Sequence, residues 1–419
     1  MELFQTYLKK HAAGDSLIQS APEKGLKYII VIPAYLETSL NESLVSLFNA
    51  TPPSAPVEII VLVNWPDDES SENITLSKDI IAFAWDLAKK RSSDKFKLHV
   101  VEASGIPRKK AGVGFARKTG MDEAIRRFNN AEQKNGIIIS FDADTKCAKN
   151  YLTAIEDHFI QNPLADGCSL YFEHPLEGNE YPQTVYSAIT QYELHMRYYL
   201  HSVRYTGFPN AFYTMGSAFA IKASSYCQQG GMNARQAGED FYFLQKFFDL
   251  GNFSDLLKTT VVPSPRPSLR VPFGTGKAVV QILESGKGLC SYHPEIFEML
   301  KELFTGIPNF YNNLSNAIEP DFSMLSDCLK SFLKDLDFTK ELKLIHENSG
   351  SLSAFIKRFY RYFNMFRILK FARFARNIYP DLPVSKCAEA IMKKTYMSFE
   401  SGMSEKELLL IFREKDQGF

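Results

Sequence analysis

Two carboxylates separated by one alanine, Asp142-Ala143-Asp144, follow the apolar run Gly136-Ile137-Ile138-Ile139-Ser140-Phe141. Oxygen donors in that spacing suit a hard divalent cation, Mg²⁺ or Mn²⁺, which keeps open positions for phosphate oxygens and acts as a Lewis acid. The triplet also suits a plain strand-exit turn, with Asp144 capping the helix that starts at Tyr151. A second acidic pair, in Gly238-Glu239-Asp240, precedes Phe241, Phe243, Leu244, Phe247 and Phe248 at helical spacing. Carboxylates in a first helical turn lie near the positive end of the helix, which favours their ionised form. One of them can then take a proton from an incoming hydroxyl. Acidic residues at helix starts are also common with no chemistry attached.

Four further features invite a chemical reading. Val262 to Lys277 is rich in Pro, Gly and Arg and reads as an ordered loop or lid. Its Arg266 and Arg270 could clamp phosphate groups bidentately, or simply lie in solvent. His293 is a candidate third metal ligand, although a lone histidine is more often structural. The run Gly112-x-Gly114-x-x-Arg117 has the outline of a dinucleotide fingerprint, but it follows the basic loop Gly105 to Lys110 rather than a strand, which excludes that reading. Ser349 to Asn377 holds seven Lys or Arg and no Asp or Glu, interleaved with Phe355, Phe359, Phe363, Phe366, Phe371 and Phe374. One reading lays this segment on an anionic membrane surface as a peripheral contact. The favoured reading packs it in a helical subdomain with snorkelling cations, because the charges drift around the helical wheel.

The elements that must position these groups follow a βαβ rhythm. Tyr28 to Ile32, stopped by Pro33, and Val57 to Val63 read as strands buried on both faces, with a helix over Leu40 to Asn49 between them. A helix over Ser77 to Lys90, a strand over Lys97 to Glu102 and a helix from Lys110 to Arg127 precede the strand that delivers Asp142. In open α/β sheets ligands bind at the C-terminal strand edge, where all the polar oddities up to this point fall. Helices over Tyr151 to Ile160 and Tyr186 to His201 and extended pieces at Gly167 to Phe172 and Ala218 to Ile221 predict a sheet continuing in mixed orientation. Beyond about residue 294 the chain reads as helices.

A chain of 419 residues exceeds one typical domain. The expected division is an N-terminal segment, 1–26, an α/β domain, 27–290, and a helical region, 291–419. Lys plus Arg and Asp plus Glu each number 48, so net charge gives no argument for nucleic acid. The six cysteines are scattered singly, with no zinc-site or disulfide-framework spacing. Neither an apolar leader nor a membrane-length apolar run stands out, so a cytoplasmic chain is expected.

Taken in order, Val31-Ile32-Pro33-Ala34-Tyr35-Leu36-Glu37, the strand ending at Asn64, Lys110 through Arg117, Phe141-Asp142-Ala143-Asp144, Gly216-Ser217-Ala218-Phe219 and Gly238-Glu239-Asp240 resemble the GT-A glycosyltransferases, family 2 most closely. The resemblance covers residues 27 to 285 and leaves out the C-terminal third. It implies a Rossmann-like mixed sheet and a transferase that moves a sugar from a nucleotide diphosphate sugar to a hydroxyl on a saccharide, lipid-linked or small-molecule acceptor, with Mn²⁺ or Mg²⁺ as cofactor. Under it, Pro33, Tyr35 and Glu37 line the base and ribose, and Arg117 with Lys110 faces the base or diphosphate. Asp142 and Asp144 bind ribose and the metal diphosphate, Gly216-Ser217 floors the donor sugar, and Asp240, beside Glu239, is the base of an inverting reaction. Family members usually carry Asp where Asn64 stands, which leaves the base open, and the usual Gln and Arg-Trp signature is replaced by the Arg266 to Lys277 loop. A retaining enzyme making small glycosides such as sugar glycerates, and a GT-A module kept for binding alone, are the competing readings.

Overall fold

β-Branched and apolar runs form the strands, and the helices between them carry the apolar faces that cover the sheet. The computed structural model describes residues 1–12, 14–234, 238–271, 274–395 and 402–418. Contacts group these into two units, Met1–Tyr186 with Phe212–Gln281 and Asp416–Phe419, and Ser187–Ala211 with Ile282–Lys415. The first holds α1 (Glu2–His11), β1 (Tyr28–Ala34), α2 (Leu40–Asn49), β2 (Val57–Pro66), α3 (Ser71–Arg91), β3 (Phe96–Ile106), α4 (Val113–Asn130), β4 (Ile137–Ser140), β5 (Lys146–Cys147), α5 (Tyr151–Gln161) and β6 (Gly167–Phe172). After α6 (Gln183–Tyr205), most of which belongs to the second unit, it continues with β7 (Phe219–Lys222), α7 (Ala223–Gln228), α8 (Glu239–Phe248), β8 (Phe253–Val262) and most of α9 (Thr275–Ser285).

The eight strands order as β3-β2-β1-β4-β7-β6-β8-β5. β1 pairs parallel with β2 on one side and β4 on the other, Tyr28 standing opposite both Val57 and Ile137, and β2 pairs parallel with β3. β7 runs antiparallel to β4 and β6, β6 parallel to β8, and β5 antiparallel to β8. This is the mixed α/β sheet that the sequence predicts. Because the chain builds β1 to β3 outward in one direction and then places β4 on the opposite flank of β1, the C-terminal ends of β1 and β4 define a topological switch point. Such crevices are where open α/β sheets bind ligands.

Burial on both faces explains why these strands read as continuous apolar runs. Ile29, Val31, Ile60, Leu62 and Ile138 point into one core with Phe4, Tyr7, Ala116, Phe128, Tyr226, Phe243 and Phe247, drawn from α1, α4, α7 and α8. The alternate residues Tyr28, Ile30, Ile32, Ile59 and Val61 are equally buried, and the Tyr28 hydroxyl donates to Glu156 of α5 at 3.2 Å. Each such aliphatic side chain contributes about 1.5–3 kcal/mol over its exposed state. The N-terminal segment is tied into this core, for the Tyr7 hydroxyl donates to Asp122 of α4 at 2.6 Å.

Within the second unit, β9 (Cys290–Ser291), α10 (Glu295–Thr305), α11 (Ile307–Ser315), α12 (Asp327–Asp335), α13 (Phe338–Glu347), α14 (Leu352–Tyr362), α15 (Met365–Ala375), β10 (Leu382–Pro383), α16 (Val384–Thr395) and α17 (Glu405–Asp416) follow one another. Phe355, Phe359 and Phe371 of α14 and α15 are buried, as is Phe363 at the C-cap of α14, whereas Lys357, Arg358, Arg361, Lys370, Arg373 and Arg376 are exposed. Arg367 lies over the Tyr362 ring, and Arg376 pairs with Asp381. Among the described residues no helix is long and apolar enough to cross a membrane.

Candidate active site

Arg117 organises the centre of the site. It projects from α4 and is 2% exposed, so its positive charge must be met internally. Nε donates to Glu239 at 3.2 Å, one terminal nitrogen to Asp142 at 2.9 Å, and the other to the Ser140 hydroxyl at 2.6 Å and the Gly216 carbonyl at 2.9 Å. One guanidinium therefore joins the end of β4, the segment before β7 and the first turn of α8. Its position lies beneath the carboxylates and not on an open face. Ser140, which the sequence did not single out, completes this cradle by donating to the same Gly216 carbonyl at 2.6 Å. No motif marks it, because its role comes from strand pairing.

Gly216 is there for close approach. A Cβ on it would lie 2.7 Å from an Arg117 terminal nitrogen and 3.2 Å from an Asp240 carboxylate oxygen. Asp240 thus stands against Arg117 and Asp142. Its carboxyl is pushed up to about 7 by burial and by the neighbouring Glu239, against the opposing pull of Arg117 and of the Phe241 amide it accepts from at 2.7 Å. Glu239 is 3% exposed, and Ser217 is buried beside Gly216.

A second cluster forms at the exit of β1, which runs through Pro33 to Ala34. Leu36 takes a left-handed φ of 49°, and Glu37 turns inward to 5% exposure. Arg266 and Arg270, from the loop after β8, converge on it. Arg266 pairs with Glu37 and with Asp144, the latter at 3.0 Å, and Arg270 meets Glu37 at 2.6 Å. Burial, together with Asp142 and Glu37, pushes the Asp144 carboxyl up to about 7 despite Arg266. Tyr35 is half-buried, and its hydroxyl donates to Glu69 at 2.6 Å. Asn64 is 2% exposed at the end of β2, its amide donating to the Gly112 carbonyl at 3.4 Å, and Lys110 is exposed on the loop before α4.

His293 belongs to the second unit, where its Nδ1 accepts from the Glu295 amide at 3.2 Å and its ring tilts against Tyr379. Among the described residues no three His, Cys, Asp or Glu side chains are arranged to hold a metal. Of the expected ligands, Asp142 and Asp144 follow β4 in the first unit. A pair of carboxylates fits a cation that takes its other ligands from phosphate and water, as Mg²⁺ commonly does.

No family model matches this chain, and no curated protein matches it. Among solved structures, residues 1–349 of S. aureus TarS in complex with UDP-GlcNAc are similar at a TM-score of 0.38 and 14% identity, over 94% of this chain and 88% of that one. The mannosyltransferase PcManGT from Pyrobaculum calidifontis, in complex with GDP-Man and Mn²⁺, is similar at 0.36 and 13% identity, over 99% of this chain and 92% of that one. At this level the likenesses assign neither activity nor residues to the chain.

Proposed function

We propose that this chain is a metal-dependent glycosyltransferase of the GT-A type, moving a sugar from a nucleotide diphosphate sugar to an acceptor hydroxyl with inversion. The observation that carries the reading is the Arg117 bridge: it holds Asp142, at the ligand edge of β4, and Glu239, next to Asp240, around one point at the switch of the sheet. A candidate cation site and a candidate base so placed are what sugar transfer from a diphosphate requires. Pro33, Tyr35, Glu37 and Asn64 line the base and ribose in this reading, with Lys110 at the rim, and Gly216-Ser217 floor the sugar.

A divalent cation on Asp142 and Asp144 would supply charge neutralisation for the diphosphate leaving group. Asp240 takes the proton of the acceptor hydroxyl as that oxygen bonds the anomeric carbon and the bond from this carbon to the diphosphate oxygen breaks. With its carboxyl pushed up to about 7, Asp240 is a stronger base than an ordinary aspartate and is about half ionised near neutral pH. Glu239 keeps Arg117 in place. Base catalysis of this kind contributes about 10² to 10⁴ in rate.

A thermal-shift screen of nucleoside diphosphates and their sugars with Mn²⁺ or Mg²⁺ identifies the donor, since a ligand that binds only the folded state raises its melting point. With that donor, Asp240→Asn is expected to bind but turn over at least about 10²-fold more slowly, and Asp142→Ala to lose both. Unchanged turnover in both variants rejects the mechanism. NMR of the product anomer separates inversion from retention, and tight nucleotide binding without transfer or hydrolysis identifies a binding module.

A further inference from the structure

The two arginines of the loop after β8 are held in different ways. Arg270 donates to the carbonyls of Tyr35 and Leu36 at 2.5 and 3.3 Å as well as to Glu37, so it is tied to the backbone at the exit of β1. The Arg266 guanidinium meets carboxylates, bonding Asp144 from Nε and from a terminal nitrogen at 3.2 and 3.0 Å and sharing Glu37 with Arg270. Removing Arg266 from Asp144 leaves Glu37 still paired with Arg270, whereas Asp144 has no second guanidinium among the described contacts.

We infer that Arg266 is an internal stand-in cation, which holds Asp144 in the ligand-free chain and passes to the donor diphosphate when a divalent cation takes its place. The inference rests on the reading of Asp142 and Asp144 as the cation site. If a divalent cation alone were held by Asp144, the Arg266 guanidinium would be left with Glu37, already shared, or with water. With a diphosphate also bound, the Arg266 guanidinium would have phosphate oxygens to donate to, a pairing its planar fork suits. Cation and nucleotide therefore favour one another through Arg266, and this coupling is reciprocal. Arg270 keeps the loop against β1 during the exchange.

The test titrates Mn²⁺ alone into the wild-type chain and into Arg266→Gln and Arg266→Lys, following the EPR signal of free Mn²⁺, and then titrates the nucleoside diphosphate that the thermal-shift screen identifies calorimetrically with Mn²⁺ present. Arg266→Gln is expected to bind Mn²⁺ alone about tenfold more tightly, and to bind the nucleotide that the wild type accepts about tenfold more weakly. Arg266→Lys keeps a charge on Asp144 but loses the fork, so its Mn²⁺ affinity stays within about threefold of wild type while nucleotide binding weakens. Circular dichroism and melting confirm that each variant is folded. Equal or weaker Mn²⁺ binding by Arg266→Gln overturns the exchange even where nucleotide binds the wild type. If no nucleoside diphosphate of the thermal-shift screen binds the wild type with Mn²⁺ present, the transferase reading and the inference built on it fall together.

Discussion

Adding one methyl group at Gly216 tests whether the Arg117 bridge assembles the site. In Gly216→Ala the new Cβ would lie 2.7 Å from a terminal nitrogen of Arg117, 3.2 Å from its Cζ and 3.2 Å from Asp240. Optimal heavy-atom contacts are about 3.5–4.0 Å, so Arg117 must retreat by roughly 1 Å. It cannot retreat freely, because Asp142 holds that same nitrogen and Ser140 and Glu239 hold the other two. Stretching one charge-assisted bond in a buried site costs about 1.5–3 kcal/mol, similar to the usual penalty of an overpacked core. Displacing Asp240 on the same scale costs about 10² in turnover. Urea midpoints and kcat with the identified donor read the two effects separately. Arg117→Met removes the group that clashes, so Gly216→Ala added to it should cost about 1–2 kcal/mol less than in the wild type. Gly216→Ala with wild-type stability and turnover, or strict additivity with Arg117→Met, refutes the close approach.

Three other outcomes follow from titration and burial. Asp240 must be ionised to act as a base, so log kcat/KM is expected to climb with pH below about 7 and level above it, while Asp240→Asn loses that limb. The native state keeps the Asp240 proton in a range where the unfolded chain has released it, so stability falls as pH rises from about 4 to about 7 and levels above that. Melting of Asp240→Asn should therefore improve relative to wild type between about pH 4 and about pH 7, and a flat difference contradicts the shift. Glu58, 0% exposed, is held down to about 2, since its bonds to Arg127 and the nearby His99, 3.6 Å away, outweigh burial. Arg127→Met strands that carboxylate and is expected to cost about 3–5 kcal/mol in urea unfolding, with Glu58→Gln added to it restoring much of the loss.

The strands that frame the site were legible because parallel strands covered on both faces read as unbroken apolar runs, as in Tyr28 to Ile32 and Ile137 to Ile139. Their C-terminal ends then located Glu37, Asp142 and Asp144 on one edge. β8 carried no such signal: its burial is irregular, with Leu257 and Lys258 exposed between buried Leu256 and Thr259, so neither a period of two nor a solid run appears. α9 starts at Thr275, within the Gly-rich loop, where composition favours irregular chain. The grouping of Ser187–Ala211 with Ile282–Lys415 is likewise invisible locally, since α6 is continuous through that boundary. The partners of Arg117 were hidden for the same reason, Glu239 lying 122 residues away, a pairing set by sheet topology and by no short motif.

The residues that converge at the switch point do not balance in charge. Glu37, Asp142, Asp144, Glu239 and Asp240 supply five carboxylates, and Arg117, Arg266 and Arg270 supply three guanidiniums. A fold could remove that surplus with one more arginine or one fewer acid, because a buried unmatched charge is costly. The imbalance instead fits a site completed by its ligands. With all five carboxylates ionised, as a bound cation favours, a divalent cation would carry the two positive charges that the side chains lack, and the diphosphate that comes with it would give Arg266 a partner to replace Asp144. On this account the acidic surplus and the arginine loop are two halves of one device. Removing a single acid, by Asp144→Asn, should then weaken Mn²⁺ and nucleotide binding together, although it brings the ligand-free site closer to neutrality.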